Sequence, residues 1–300
     1  MKASVIVCTH RMDRYEDFKE AVSSLYRQSH PDVEVVAVID GNEKLFNRIK
    51  EEGIKIDRLL LNERNLGLSQ SRNRGANEAS GDIIVFFDDD AVADTNWIKE
   101  LVRMYEERDA IAAGGKLLPK WISGKADFLP EEYYWLIGAT HKGFPEEITE
   151  VRNTYGSNLS FKAEVIRALD GFKSGSGMKG SGLLQGAETE LCQRMKEKFG
   201  KGVVYNPAAI IYHKVFPERL RMKYLLKRTF WQGYSKRVMQ ETGHPLGEEQ
   251  RFMGVLFAGV GRRIKAKSPT AFKQLAVLAI FTFSVFLGYT AKLLKRKEKW

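Results

Sequence analysis

Short, wholly apolar runs alternate with segments of helical periodicity through the first third of the chain. Ala3 to Cys8 predicts a strand buried on both faces, and Tyr15 to Gln28 repeats its apolar residues at helical spacing. Val33 to Ile39 and Leu59 to Asn62 predict two further strands, with helices over Leu45 to Glu52 and Leu68 to Ala79. Asp82 to Phe87 is a fourth apolar run and ends in Asp88, Asp89 and Asp90. Strand and helix in strict alternation predict an α/β fold with a mostly parallel central sheet flanked by helices. Ligands of such sheets bind beyond the carboxyl ends of the strands, where Thr9 to Arg11, Asp40 and the three aspartates fall.

The pattern loosens after a helix at Trp97 to Glu107. Ala112 to Leu118 is apolar, and the aromatic stretch Phe128 to Ile137 has no dominant period. Thr154 to Lys162 predicts a strand, Ala163 to Leu169 a short helix, and Lys173 to Gly186 a glycine-rich loop before a helix at Glu188 to Lys198. Val203 to Tyr212 predicts a last strand. Gly175, Gly177 and Gly180 spell GxGxxG, but no strand precedes them, so the expectation is a flexible loop and not a dinucleotide site.

The last third changes character. Phe252 to Val260 is a short apolar run, four cations follow at Arg262, Arg263, Lys265 and Lys267, and Leu275 to Tyr289 is fifteen residues without a charge. That is short of the roughly 20 residues a span needs, although Ala271 to Ala291, with Lys273 inside it, would reach. Cations flank the apolar segment on both sides, and the tendency of positive charge to stay cytoplasmic would hold both ends there. An interfacial or re-entrant placement therefore competes with a single span.

Charge sharpens this division. Of the 300 residues, Arg219 to Trp300 holds 18 lysines and arginines against 4 acids, whereas the remainder has 30 against 34. The net charge of +10 is thus the property of one apolar, basic segment, which points to an anionic membrane surface and excludes a nucleic-acid reading. Cys8 and Cys192 are too few for a disulfide framework or a zinc site and fit a reducing compartment. Ala3 to Cys8 is too short for a signal-peptide core, so the expected location is the cytoplasmic face of the cell membrane.

Three successive carboxylates at the end of an apolar strand need a counter-charge, and Mg²⁺ or Mn²⁺ suits their oxygen ligands. The competing structural reading is a strand end turning into a capped helix, for which one acid would suffice.

With these residues in view, the chain resembles the family 2 inverting glycosyltransferases of GT-A fold. The resemblance rests on SVIVCTHR at Ser4 to Arg11, Asp40 in VIDG, NLGLSQSRNRG at Asn65 to Gly75, GDIIVFFDDD at Gly81 to Asp90, GSNLSF at Gly156 to Phe161, GAETEL at Gly186 to Leu191, and His213. It covers roughly residues 1 to 240. Stretches such as AVADTNWI, EVRNTYGSN and FWQGYSKR look most like the archaeal N-glycosylation enzymes that add glucuronic acid to glucosyl-dolichyl phosphate. The resemblance implies a UDP-sugar donor, best UDP-glucuronic acid, and a lipid-linked sugar acceptor; another donor and lipid, or an inactive nucleotide-sugar binding protein, are the alternatives. It also divides the chain into a catalytic domain at 1–218 (nucleotide half 1–110, acceptor half 111–218), a basic helical linker at 219–250, and a membrane-anchoring segment at 251–300.

The family's roles carry over residue by residue. Thr9, Arg11 and Asp40 would hold the uridine, with Asn65, Gly67, Arg72, Asp88 and Asp89 completing the nucleotide-sugar site. Asp88 and Asp90 are the outer members of a DxD motif, Asp90 the more direct metal ligand, and His213 would complete the metal or diphosphate site. Glu188 is the expected general base: an inverting transfer needs one carboxylate to take the acceptor hydroxyl's proton. Relatives often carry an acid where this chain has Ala187. Lys214, Arg219, Arg228 and Lys236 are candidate anion partners, Arg152, Lys116 or Lys179 could meet a uronate carboxylate, and Asn158 and Trp231 could contact the acceptor. Each of these has a plain structural alternative as a packing or surface residue.

Overall fold

Branched side chains dominate β1 (Ala3–Thr9) and β2 (Val33–Asp40), and their restricted χ1 angles favour extended backbone. Both runs are buried almost throughout, as strands covered on two faces must be. The structure is a computed structural model that describes residues 1–173, 186–241 and 247–294, the side chains of 247–250 excepted. Gly175, Gly177, Lys179 and Gly180 lie outside the described residues.

Between these strands stands α1 (Tyr15–Leu25), followed after β2 by α2 (Glu43–Glu51), β3 (Arg58–Asn62), α3 (Leu68–Glu78) and β4 (Ile83–Asp88). Helix α2 begins two residues before the expected Leu45 because the Asn42 side chain accepts the Leu45 N–H at 3.0 Å and caps it. The chain continues through β5 (Ala91–Ala93), α4 (Trp97–Glu107), β6 (Ala112–Trp121), a 3-10 turn at Glu131–Ile137, β7 (Thr149–Val151), β8 (Leu159–Lys162), α5 (Ala163–Ala168), α6 (Ala187–Phe199) and β9 (Val203–Val215). Three helices close it: α7 (Met222–Glu241), α8 (Gly247–Ala266) and α9 (Pro269–Leu294).

The sheet runs β3-β2-β1-β4-β8-β6-β9-β5, with β7 paired to β9. Strands β3, β2, β1 and β4 are parallel, while β8 pairs antiparallel with both β4 and β6, and β9 pairs antiparallel with β5 and β7. Alternate residues of the parallel strands feed two cores. Val5, Val7, Val35, Ala37, Val85 and Phe87 pack with α1, α2 and α4 on one face, and Ile6, Val36, Val38, Ile84 and Phe86 pack with α3, α5 and α6 on the other.

Two other expected elements change length for a visible reason. The strand predicted from Thr154 starts only at Leu159, because the Thr154 hydroxyl donates to the Asn158 carbonyl at 2.9 Å and the Asn158 N–H to the Tyr155 carbonyl at 2.9 Å, closing a turn. The last strand runs past Tyr212 to Val215 because β5 supplies a partner.

Among the described residues, one compact unit comprises 1–118, 145–173 and 187–214, and a second comprises 119–144, 186, 215–241 and 247–294. This differs from the division expected at 110 and 218. The aromatic stretch joins the second unit because Tyr133, Leu136 and Ile137 share a core with Leu225, Leu256, Val277 and Phe281. Helix α7 is correspondingly no linker: Gly233 lies against the Val285 carbonyl and Gly288 against the Phe230 carbonyl, so α7 and α9 approach at backbone distance.

A buried carboxylate closes the amino-terminal side of the sheet. Glu34 accepts from the Ser4 hydroxyl, the Ser80 N–H at 2.9 Å, the Ser80 hydroxyl at 2.8 Å and Arg58 Nε at 3.1 Å. Burial alone would raise its pKa, but these donors outweigh it and hold the carboxyl at about 2. A carboxyl depressed in the fold stabilises it above the unfolded value near 4.5 and loses that contribution as pH falls towards 2. Thermal melts should therefore drop steeply across this window in the wild type and less steeply in Glu34→Gln, which should also be the less stable protein at pH 7.

Candidate active site

The strand order reverses between β1 and β4, and a crevice at such a reversal is where α/β sheets take ligands. Register places Cys8 opposite Asp88 on these two strands, with Thr9 one residue on and Asp40 ending neighbouring β2. Strand β5 then turns back along β9 with Ala91 opposite His213, and the Lys214 N–H donates to the Asp90 carbonyl at 3.0 Å. His213 Nε2 consequently stands 3.2 Å from Asp90 Oδ1 and 3.8 Å from Asp88 Oδ2.

One ligand atom from each of Asp88, Asp90 and His213 lies within 4.8 Å of the others. Two carboxylates and an imidazole make a donor set for a hard or borderline divalent cation, and Mn²⁺ or Mg²⁺ fits it. Asp90 and His213 are buried and Asp88 is partly open, so such an ion would keep a free side for a ligand. The Thr9 hydroxyl is buried without a well-formed hydrogen bond and leans towards Asp89. Burial, then the neighbouring Asp90 charge, pushes the Asp89 carboxyl up to about 7 despite Thr9.

Arg72 joins this group to Glu188. Its guanidinium is 5% exposed and donates from one terminal nitrogen to Glu188 Oε1 at 2.9 Å and from the other to Asp88 Oδ1 at 3.1 Å. It lies 5.7 Å from the Phe86 ring centre and 5.6 Å from that of Phe172. A buried guanidinium is tolerable only with such partners, and here burial works against a cation that both carboxylates favour. Gly156 makes room for the pair: a Cβ there would stand 2.2 Å from Glu188 Oε1 and 2.7 Å from Arg72.

Sequence reasoning passed over this glycine and over Asn73, whose amide brackets Phe172 by accepting its N–H at 2.8 Å and donating to its carbonyl at 2.8 Å. The signal was present in both cases as a small or amide residue inside the quoted motifs, but its partner lies far along the chain. Ala187 is 6% exposed in an apolar cluster that would disfavour a carboxylate. Glu188 opens α6 with 27% of its side chain exposed. Glu190 is a structural residue bound to Arg194 at 2.8 Å and Lys173 at 3.0 Å.

Several expected contacts are spent inside the protein. Asp40 accepts the Leu66 and Gly67 N–H groups at 2.9 Å each and Asn62 Nδ2 at 2.8 Å, so its first task is to shape the turn that carries Asn65. Gly67 serves that turn with φ +87°, a region costly for other residues. Asn65 and Arg11 are exposed nearby on their loops, Arg11 paired with Asp13. Asn158 is fully buried, accepting from Trp97 Nε1 at 2.8 Å and donating to the Lys116 and Ala209 carbonyls, which removes it from the acceptor site. Lys214 is likewise no anion partner, because Asp17 and Glu20 of α1 bind its ammonium at 2.7 and 2.5 Å.

Arg219, Arg228, Lys236 and Trp231 belong to the second unit, where Trp231 stacks at a tilt on Tyr234 with ring centres 5.2 Å apart. Of the cations proposed for a uronate, Lys116 lies on β6, whereas Arg152 approaches α6. Arg152 Nε donates to Asn153 at 3.2 Å, and Asn153 accepts from Thr189, the neighbour of Glu188, at 3.2 Å.

Comparison with known proteins agrees with this geometry. The sequence profile of glycosyl transferase family 2 matches residues 4–170. A glucosyl-dolichyl phosphate glucuronosyltransferase from Haloferax volcanii is 41% identical over 297 residues, covering 96% of this chain and 95% of its own. Among solved structures, the mannosyltransferase PcManGT from Pyrobaculum calidifontis, in complex with GDP-Man and Mn²⁺, superposes with a TM-score of 0.60 at 15% identity, covering 99% of this chain and 88% of its own. S. aureus TarS 1-349 in complex with UDP-GlcNAc gives a TM-score of 0.55 at 15% identity, covering 98% and 91%.

A divalent cation should bind this cluster measurably. Calorimetric titration of Mn²⁺ and Mg²⁺ is expected to show one site that weakens at least about tenfold in Asp90→Asn and is unchanged in Asp109→Asn, an exposed acid paired with Lys201.

Proposed function

The chain belongs to glycosyl transferase family 2, and on that premise we propose that it moves glucuronic acid from UDP-glucuronic acid onto glucosyl-dolichyl phosphate, with inversion at the anomeric carbon. The observation that carries the catalytic reading is the Asp88–Arg72–Glu188 coupling, which ties a candidate base to the donor end of the site. The substrate pair rests on the Haloferax relative, matched almost end to end.

Asp88, Asp90 and His213 would hold the divalent cation, which when bound offsets the charge that develops on the departing diphosphate. Thr9, whose hydroxyl forms no well-formed hydrogen bond, and Asp40, through its remaining lone pairs, support the nucleoside from the strand ends. Glu188 takes the proton of the acceptor's sugar hydroxyl as that oxygen bonds to the anomeric carbon; the bond from that carbon to the diphosphate breaks on the opposite face and UDP leaves. Arg72 fixes one oxygen of Glu188 and thereby aims the other.

Arg152 supports the choice of donor, because it stands beside the first turn of α6 and a guanidinium can grip a uronate carboxylate through two parallel hydrogen bonds. The apolar, basic C-terminal helices support attachment to the membrane that holds the acceptor, with the catalytic unit on the cytoplasmic face.

Transfer of labelled sugar to a synthetic glucosyl-phospholipid should occur with UDP-glucuronic acid and a divalent cation and not with UDP-glucose or UDP-GlcNAc. Glu188→Gln should lower kcat by about 10² to 10⁴-fold with donor binding retained. Transfer from another donor alone would refute the substrate assignment, and unimpaired Glu188→Gln would refute the base. Arg152→Gln should raise the KM for UDP-glucuronic acid by about tenfold or more and leave the binding of UDP itself unchanged, which separates recognition of the carboxylate from a general loss of fold.

A further inference from the structure

Helix α9 is the one described helix long and apolar enough to cross a membrane, and its surroundings argue against its doing so. One of its faces packs on protein, with Val277, Leu278 and Phe281 in an apolar core and polar contacts at its start, middle and end. Near its start, Gln274 donates to the Asp127 carbonyl at 2.6 Å and accepts from Arg263 Nε at 2.8 Å. Arg263 and Arg262 in turn grip Glu132, a wholly buried carboxylate, at 2.7 and 3.0 Å. In its middle, Phe281 packs edge-on to Tyr133 with ring centres 5.3 Å apart, Thr282 meets the Tyr133 hydroxyl at 2.8 Å, and Ser284 meets Thr229 at 2.8 Å. Near its end, Lys292 pairs with Glu241 at 3.4 Å.

Its companion α7 carries Lys223, Lys227, Arg228, Lys236 and Arg237, and the close approach at Gly233 and Gly288 fixes the two helices together. A span would draw these cations and the Glu132 cluster into hydrocarbon, where ionised groups are costly.

The opposite face of α9 is a different surface. Phe272, Ala276, Ile280, Phe283, Phe286, Leu287 and Leu294 recur at helical spacing and are all exposed, Phe283 by 61% and Leu294 by 81%. Helix α8 adds Met253, Phe257 and Ile264, exposed on a stripe of its own. From Gln250 to Leu294 the sequence holds seven cations and no acid, and Arg262, Lys265, Lys267 and Lys273 gather at the corner between the two helices. An apolar stripe edged by cations, of which Arg262 also pairs with Glu132, matches one leaflet of an anionic bilayer: acyl chains for the stripe, headgroup phosphates for the rim.

We infer that α9, with α8, lies in the plane of an anionic lipid leaflet with its exposed apolar stripe among the acyl chains, and does not span the bilayer. This rests on the membrane association proposed above and decides its geometry. Full-length protein carrying one nitroxide at a time on Ala276→Cys, Phe283→Cys, Leu287→Cys or Leu294→Cys is bound to vesicles of phosphatidylcholine and phosphatidylglycerol, with unsubstituted protein as background. The native Cys8 and Cys192 are not exposed. Flotation reports association, and depth-dependent relaxation reports geometry. The expected result is salt-sensitive flotation with all four labels at one shallow depth. A profile deepest at Phe283 and shallow towards Leu294 overturns the in-plane placement while leaving membrane association intact. Failure to float, or burial of the labels in a dimer without lipid contact, overturns both.

Discussion

A guanidinium taken out of water must be matched by charge, and Arg72 meets this condition by drawing three distant segments together. Its place on α3 is fixed by Gly75, where a Cβ would stand 2.4 Å from Ile6, so that the helix lies close against β1. From there the side chain reaches Asp88 at the end of β4 and Glu188 at the start of α6. Removing either partner would leave a buried cation short of compensation, a defect worth about 3 to 5 kcal/mol in comparable buried pairs. The same ion pairs that stabilise the fold thus set the distance between the carboxylate cluster and the candidate base. Packing and chemistry share one constraint here.

Around this centre, polar residues of similar appearance divide into two groups. Asp88, Asp90 and His213 bring their ligand atoms within 4.8 Å of one another, Thr9 lies one residue beyond Cys8, the partner of Asp88, and Glu188 reaches Asp88 through Arg72. Asn158, Asn73 and Lys214 are consumed by protein partners, and Asp40 very nearly so. The second group makes the first possible. Asn158 ties Trp97 to two strand carbonyls, Asn73 holds the backbone that seats Phe172 beside Arg72, and Asp40 pins the turn leading into α3. The departure at Ala187 acquires a physical reason as well, since that position points into an apolar cluster.

The second unit obeys a different economy of charge. Glu132 gathers Arg263 inside the protein and holds Arg262 at its edge, while the remaining cations of that corner lie near exposed phenylalanines. Neither a soluble core nor a lone transmembrane helix has this distribution. One side of α9 is satisfied by protein, and the other has apolar area that water does not favour.

The sequence by itself determined the local matters: the strands and helices of the first 90 residues, their parallel alternation, and the placing of Thr9, Asp40 and Asp88 at strand ends. These are legible because burial on two faces of a strand or one face of a helix imprints a period on neighbouring residues. It also carried the acidic cluster and Glu188 as candidates, through residue type and motif. Only the tertiary structure decided which of them meet. His213 reaches Asp90 because β5 folds back along β9, Arg72 reaches Glu188 across α6, and Gly156 matters because of what approaches it. The same holds for residues withdrawn from the site, since a hydrogen bond between Asn158 and Trp97 leaves no mark on either one's neighbours. Periodicity is a property of adjacent residues, whereas partnership across the sheet is a property of the folded chain.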